Sequence, residues 1–258
     1  MRTGQIFLLL AIVVACSYAA FKREKEWKYF RHAILKYHNL YRQREDACYM
    51  NKLYYDIDLE TEAKFLAKRC DYKFFYINHF GQNVAFGKPQ YHLITFIQNA
   101  LKEMMKEKYV YKFDQTACGK SCRYTQLVWA DTSALGCYAQ RCPSLKHVEH
   151  VKNAWFLVCL YSPRGNIAHL PPYAGICERS PRCRPGQPIA LNSKLCLPQK
   201  EELGYRFDDM ILDLYNTKEW GYGTGLPGNR GLAAAIFSKS RNEPTNQTSG
   251  IFDQFRNF

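Results

Sequence analysis

The chain has 258 residues, a formal charge of +13, and is 47% hydrophobic and 15% aromatic. That is ample apolar material for a core, so disorder throughout is excluded, and the length allows one large domain plus an appendage. The basic excess favours acidic partners such as anionic lipid or glycosaminoglycan, but the Lys and Arg residues are spread along the chain, and a solvated basic surface is the simpler account.

At the start, Met1-Arg2 leads into the apolar run Ile6 to Val14 and then Ser17-Tyr18-Ala19. These are the charged, apolar and small-residue parts of a signal peptide over residues 1–20, with cleavage near Ala19 or Ala20. The run is too short for a membrane anchor. Cys16 after Val-Ala gives only a faint lipoprotein box. Secretion in turn disfavours nucleic acid as a partner. Setting Cys16 aside leaves Cys48, Cys70, Cys118, Cys122, Cys137, Cys142, Cys159, Cys177, Cys183 and Cys196, an even set that suits oxidation in the secretory pathway. Spacing does not fix their pairing. A zinc knuckle at Cys118 and Cys122 competes with this reading, but no second close pair of Cys or His stands at zinc spacing.

Trp27, Phe30, Ile34, Tyr37, His38 and Tyr41 recur at helical spacing and predict an amphipathic helix from Lys25 to Arg44. After a short aromatic segment from Leu53 to Asp56, the positions Leu59, Ala63, Leu66, Ala67 and Cys70 predict a second helix, with Asp58 as its cap. A third helix is expected from Leu93 to Tyr109, with Glu103 and Glu107 one turn apart and Met104 and Met105 as core filler. Cys122 to Thr132 alternates like a β-strand, with Tyr124, Gln126 and Val128 on one face and Thr125, Leu127 and Trp129 on the other. Ala154 to Tyr161 is a second strand, stopped by the turn Ser162-Pro163-Arg164-Gly165-Asn166. Both strands are apolar on each face, so helices must cover both sides. Beyond Ala168, Leu170-Pro171-Pro172-Tyr173 breaks the chain, and residues 169–198 form a Cys- and Pro-rich hinge. Residues 199–258 read as an irregular tail with a short helix at Phe207 to Tyr215, a glycine-rich stretch, and a glycosylation sequon at Asn246. The tail holds no transmembrane run.

Tyr124-Thr125-Gln126-Leu127-Val128-Trp129, followed by Phe156, Leu157, Cys159, Tyr161, Pro163, Gly165 and Asn166, resembles the two signatures of the CAP superfamily, which includes cysteine-rich secretory proteins, antigen 5 and pathogenesis-related protein 1. His38-Asn39-x-x-Arg42, Tyr55-Asp56-x-x-Leu59 and Gly81-Gln82-Asn83-Val84-Ala85 resemble further family segments. The departures are Leu160 for the usual Asn, Gln82 for Glu, and Arg123 for His. The resemblance implies an α+β fold, a three-layer α/β/α sandwich over residues 21–168, and a disulfide from Cys70 to Cys137. It also implies a cavity where two His and two Glu usually suit zinc. The corresponding positions are His38, Gln82, Glu107 and Arg123, with Glu103 replacing Glu107 if the alignment slips by a turn. An amide for an acid and a guanidinium for an imidazole move the set's formal charge from about −2 to about 0. The expectation is therefore no zinc, with Arg123 paired to Glu107. His79 is a weak substitute ligand.

The same changes weaken an enzymatic reading. A protease would be left with His38 and Glu107 as bases, Ser121 and Ser133 lie in turns, and no Gly-x-Ser-x-Gly elbow or phosphate loop is present. The resemblance instead implies a secreted, non-enzymatic binding protein. Sterol would be held by the aromatic stretch Tyr109, Tyr111 and Phe113, or fatty acid between helices. The alternative is a venom-allergen-like or GLI-pathogenesis-related-like protein that displays its loops and tail to an extracellular receptor.

Overall fold

A computed structural model describes residues 2–75, 79–112, 118–175 and 183–198. Strands β1 (Tyr54–Tyr55), β2 (Gly81–Gly87), β3 (Ala134–Ser144) and β4 (Lys152–Ser162) make one sheet in the order β1-β3-β4-β2. β3 and β4 are antiparallel, β2 runs antiparallel to β4, and β1 runs parallel to β3. The helices are α1 (Arg2–Gln43), α2 (Ile57–Ala67), α3 (Leu93–Lys106) and α4 (Cys122–Leu127), with 3-10 turns at Glu107–Val110 and Gly119–Ser121.

Strand periodicity sorts the layers. Along β4, Leu157, Cys159 and Tyr161 join one core with Phe30 and Ile34 of α1, Ile97 and Leu101 of α3, and Tyr124 and Leu127 of α4. The alternate residues Phe156, Val158 and Leu160 join a second core with Leu59, Ala63, Leu66 and Ala67 of α2. The result is the three-layer α/β/α sandwich implied by the resemblance. α2 lies so close to the sheet that a Cβ on Gly136 would come within 2.4 Å of the backbone at Leu59 and Glu60. Arg31 donates from Nε and Nη2 to the two carboxylate oxygens of Glu60, while the Tyr55 hydroxyl donates to Glu60 as well, so this half-buried cluster ties α1 to the start of α2. Among the described residues no helix is long and apolar enough to cross a membrane.

Several local expectations are corrected. The first helix begins far upstream of Lys25, at Arg2, and carries the apolar leader run on the same continuous helix. α2 is capped by Asp56, not Asp58; its carboxylate accepts from the Asp58 and Leu59 amides at 2.7 and 3.0 Å. α3 ends at Lys106, and the chain tightens into a 3-10 turn over the stretch expected to be its last turn. The expected strand at Cys122 to Thr132 is instead helix α4. Its core residues Tyr124, Leu127 and Val128 also fit i, i+3, i+4 spacing, and that alternative period is the one realised.

The disulfides also differ. Cys70 bonds to Cys142 and Cys137 to Cys159, in place of the implied Cys70–Cys137 pair. Cys137 sits directly across from Cys159 in the β3–β4 register and points into the core beneath α1, whereas Cys142 points into the α2 layer, where Cys70 follows the helix. Cys118–Cys122 and Cys183–Cys196 are closed as well, Cys48 is disulfide-bonded, and Cys16 is free. Cys177, Phe113, the tail helix at Phe207 to Tyr215 and Asn246 lie outside the described residues.

Arg42, at the end of α1, is 1% exposed and has no hydrogen-bonded carboxylate among the described residues. Its guanidinium donates instead to the carbonyls of Asn51, Leu127, Trp129 and Thr132 at 2.7–3.0 Å, and to Ala130 at 3.4 Å. Burial lowers its pKa to about 9, which leaves it protonated at neutral pH. Arg42→Met is expected to destabilise the fold by about 3 kcal/mol or more, because it strands several buried carbonyls at once. Arg42→Lys, with a single ammonium unable to span that arc, should recover only part of the loss. Urea unfolding of the oxidised protein checks both.

Candidate functional site

The first signature does not form a strand wall; it forms α4, and its two ends are held by side chains from elsewhere in the chain. At the N-terminus, the Glu107 carboxylate accepts from the backbone amides of Arg123 and Tyr124 at 3.0 and 3.1 Å. Its second oxygen accepts from Arg123 Nε at 2.6 Å. Glu107 therefore satisfies two orphan N–H groups of a short helix as well as one cation. At the other end, Arg42 takes the Leu127 carbonyl.

Of the four cavity positions, the structure brings Glu107 and Arg123 together. His38 lies apart from that pair, fully buried in the core under α1, where Nδ1 contacts the Ile34 carbonyl at 2.8 Å and Nε2 the Tyr161 hydroxyl at 2.9 Å. The same hydroxyl accepts from Asn83 Nδ2, which also donates to the Arg123 carbonyl, so His38 is linked to α4 through Tyr161 and Asn83 rather than directly. Gln82 sits at the strand position that shares a face with Val84, in the α2 layer. There its Oε1 accepts from the Phe75 amide, and its Nε2 is buried with no hydrogen-bond partner among the described residues. His79 is exposed, and Glu103 is spent on Lys106 at the surface.

This donor set does not suit a zinc ion. Arg123 offers no lone pair, both His38 nitrogens are engaged, Gln82 occupies the opposite layer, and Glu107 is committed to amides and a guanidinium. Among the described residues no three His, Cys, Asp or Glu side chains stand together as a metal site would need. Cys118 and Cys122 are joined to each other, which removes them as knuckle ligands.

A shallow cleft opens beside α4, and sequence reasoning found only one of its walls. Tyr111, Cys118, Thr125, Trp129, Ile167 and Leu170 line it, with Asn166 and Pro172 completing the rim. Thr125 Oγ1 donates to Asn166 Oδ1 at 2.6 Å, and Asn166 Nδ2 donates to the Cys122 carbonyl, so the polar floor is internally satisfied and the remaining surface is apolar or aromatic. A Cβ on Gly165 would fall within 2.9 Å of the Trp129 ring, so only glycine lets the turn after β4 sit against this wall. Of the aromatic stretch singled out in the sequence, Tyr111 lines the cleft with its ring 5.8 Å from that of Tyr124, whereas Tyr109 is 89% exposed and lies outside it. Behind Tyr124 the chain buries Glu45, whose carboxylate accepts from the Tyr124 and Tyr173 hydroxyls and from Lys108 at 2.8–3.0 Å. Burial, with Glu45 alongside, raises the pKa of both tyrosines, so they stay protonated donors. The Glu45 and Tyr173 pairing joins residues far apart in sequence, and no local pattern signals it.

Burial, reinforced by Arg42, holds the His38 pKa down to about 4 against an ordinary 6.5. Because the unfolded chain takes up a proton that the folded chain refuses, the contribution of neutral His38 to stability is complete above about pH 6.5 and is lost as pH falls toward 4. At pH 5 the loss is expected to be about 2 kcal/mol, and His38→Gln should flatten that part of the stability profile in urea titrations. A second expectation concerns metal. Elemental analysis of protein purified without chelator should give no stoichiometric zinc, and the metal content should be the same in His38→Ala.

Comparison with known proteins bears on the family and the fold. The cysteine-rich secretory protein family, CAP, matches residues 35–161. GLIPR1-like protein 1 of Mus musculus is 31% identical over 193 residues, 67% of this chain and 74% of its own. Peptidase inhibitor 15 of Mus musculus is 30% identical over 182 residues, 64% of this chain and 69% of its own. Among solved structures, Na-ASP-1 aligns with a TM-score of 0.56 at 21% identity over 65% of this chain and 46% of that chain. Hookworm platelet inhibitor aligns with a TM-score of 0.53 at 20% identity, over 66% of this chain and 90% of that one. At such identities the structures speak to the fold alone. With a relative above 30% identity matched over most of its length, both signatures in place and the α/β/α sandwich built around them, the chain belongs to the CAP family of cysteine-rich secretory proteins.

Proposed function

We propose that this is a secreted, non-enzymatic CAP-domain protein whose cleft beside α4 holds a small apolar group, such as the tail of a sterol or a fatty acid. The observation that carries this reading is the contrast between two neighbouring places. The residues with acid–base or ligating chemistry are consumed internally: Glu107 by α4 and Arg123, His38 by Tyr161 and Ile34. Beside the same helix, Tyr111, Trp129, Ile167, Leu170 and Pro172 line the cleft with no acid, base or ligating group among them. Hydrolysis needs a positioned base free to take a proton from an attacking group, whereas both His38 nitrogens are hydrogen-bonded inside the core and Glu107 is held by two amides and a guanidinium. Binding an apolar group needs only surface, at about 25 cal/mol per Å² removed from water.

The apolar run before Ala19 and a described region stapled by disulfides support export. Ligand uptake is tested by titrating the protein with a fluorescent fatty acid and a fluorescent sterol. Ile167 and Leu170 are 39% and 53% exposed, so aspartate substitutions there leave the core intact. Saturable binding is expected, with Ile167→Asp plus Leu170→Asp weakening it severalfold or more, because each places a charge on the apolar wall. Absence of saturable binding, or binding indifferent to both substitutions, would overturn the reading.

A further inference from the structure

We propose that the 3-10 turn Glu107–Val110 is a docking tip for the surface of an anionic lipid bilayer, a site separate from the cleft and independent of what the cleft holds. Isolated apolar side chains on a protein surface are ordinary, but this tip combines two features. Tyr109 is 89% exposed, the highest value among the large hydrophobic residues described, and the adjoining Val110 is 58% exposed. Around them the charge is one-sided. Lys102 and Lys106 of α3 lead into the turn, Lys108 lies within it, Lys112 follows it, and Lys120 stands exposed on the 3-10 turn Gly119–Ser121 packed beside it.

The acids that could offset these cations are already committed. Glu103 pairs with Lys106 at 2.6 Å, and Glu107 turns inward to Arg123 and the α4 amides. Glu45, which takes Lys108, is buried. Lys102, Lys112 and Lys120 have no carboxylate partner among the described residues. Asp114, the one further acid in this stretch of sequence, lies outside them. The charge of the whole chain points the same way. Residues 1–198 hold 29 Lys and Arg against 15 Asp and Glu, whereas residues 199–258 hold seven against eight, so the basic excess precedes the tail.

Tyrosine is suited to the interfacial layer, where its ring is buried at headgroup depth and its hydroxyl stays wet. Lysines flanking such a ring keep their ammonium groups among the phosphates while their stems lie along the apolar layer. Each lysine near an anionic leaflet strengthens attachment about fivefold, and the attraction fades within a Debye length, so added salt weakens it. A neutral bilayer would engage only the small apolar tip, which is too little to hold the protein.

The test uses the full chain and sterol-free vesicles, either pure phosphatidylcholine or phosphatidylcholine doped with phosphatidylserine, read by cosedimentation. Binding is expected only with phosphatidylserine present, and it should be reversed by salt. Tyr109→Ser with Val110→Ser should weaken it roughly tenfold. Lys112→Gln and Lys120→Gln should each weaken it about fivefold. Tyr109→Trp should retain binding and shift its emission to the blue on contact with the vesicles. Equal binding to neutral and anionic vesicles, no binding to either, or anionic binding untouched by the four tip substitutions would overturn the proposal. Tyr109→Ser with Val110→Ser should leave binding of the fluorescent fatty acid in solution unchanged, which separates failure of this tip from failure of the cleft.

Discussion

The structure depends on one buried cation. Arg42 arrives at the end of α1 with no carboxylate hydrogen-bonded to it among the described residues, only the more distant charge of Asp131, and it is tolerated because carbonyls from two separate segments are turned toward it. Asn51 supplies one side of the arc and residues 127–132 the other. Those residues form the passage from α4 into β3, so the guanidinium fixes how the first signature enters the sheet. Asn39, one turn earlier on α1, adds a second clasp: its side chain both donates to and accepts from the backbone of Leu53, ahead of β1. Two polar residues of one helix thus set the positions of both edges of the loop system above the sheet.

The same reasoning explains the nature of α4. A six-residue helix has too few internal hydrogen bonds to stand alone, since nucleation costs more than so short a propagation returns. Here Glu107 takes two of its N-terminal amides, Arg42 takes its last carbonyl, and a disulfide closes the turn that leads into it. A carboxylate fixed this way is poorly placed to be a ligand. Of the positions implied by the resemblance, Glu107 caps a helix and Arg123 pairs with that same carboxylate.

How much could be read from the sequence follows from where each constraint lies. The layers were legible because periodicity is local: residues of α2 recur every three to four positions, and both faces of β4 are apolar. The expected strand became α4 because Tyr124, Leu127 and Val128 fit helical spacing as well as strand alternation over so short a stretch, and the groups that decide between the two, Glu107 and Arg42, lie outside it. The disulfide exchange has a related cause. Family resemblance implied a partner for Cys70 without saying which face of β3 it must come from, and only the pleat separates Cys142 from Cys137. For the site, residue types were informative and convergence was not. Gln82 and Asn83 are neighbours in sequence, yet they face opposite cores, and it is Asn83 that reaches α4.

The cleft owes its outer wall to the chain beyond the second signature. Pro172 accepts from the Ala130 amide at 2.7 Å, Ala174 accepts from the Cys48 amide, and Tyr173 donates to buried Glu45. These three contacts pin Leu170 and Pro172 against Trp129 and Tyr111 across the opening. Further along, Cys196 is fully buried, its carbonyl accepts from the Lys52 amide and its own amide donates to Met50, so the Cys183–Cys196 segment is laid against the Arg42 arc from the outside. A segment with no periodicity of its own is thereby ordered by backbone pairing to residues 50–52, the same short run whose Asn51 carbonyl receives the guanidinium. The cleft is consequently not a feature of the sandwich alone. It forms where the returning chain meets α4, and its shape is set by the same buried carbonyls that hold the helix in place.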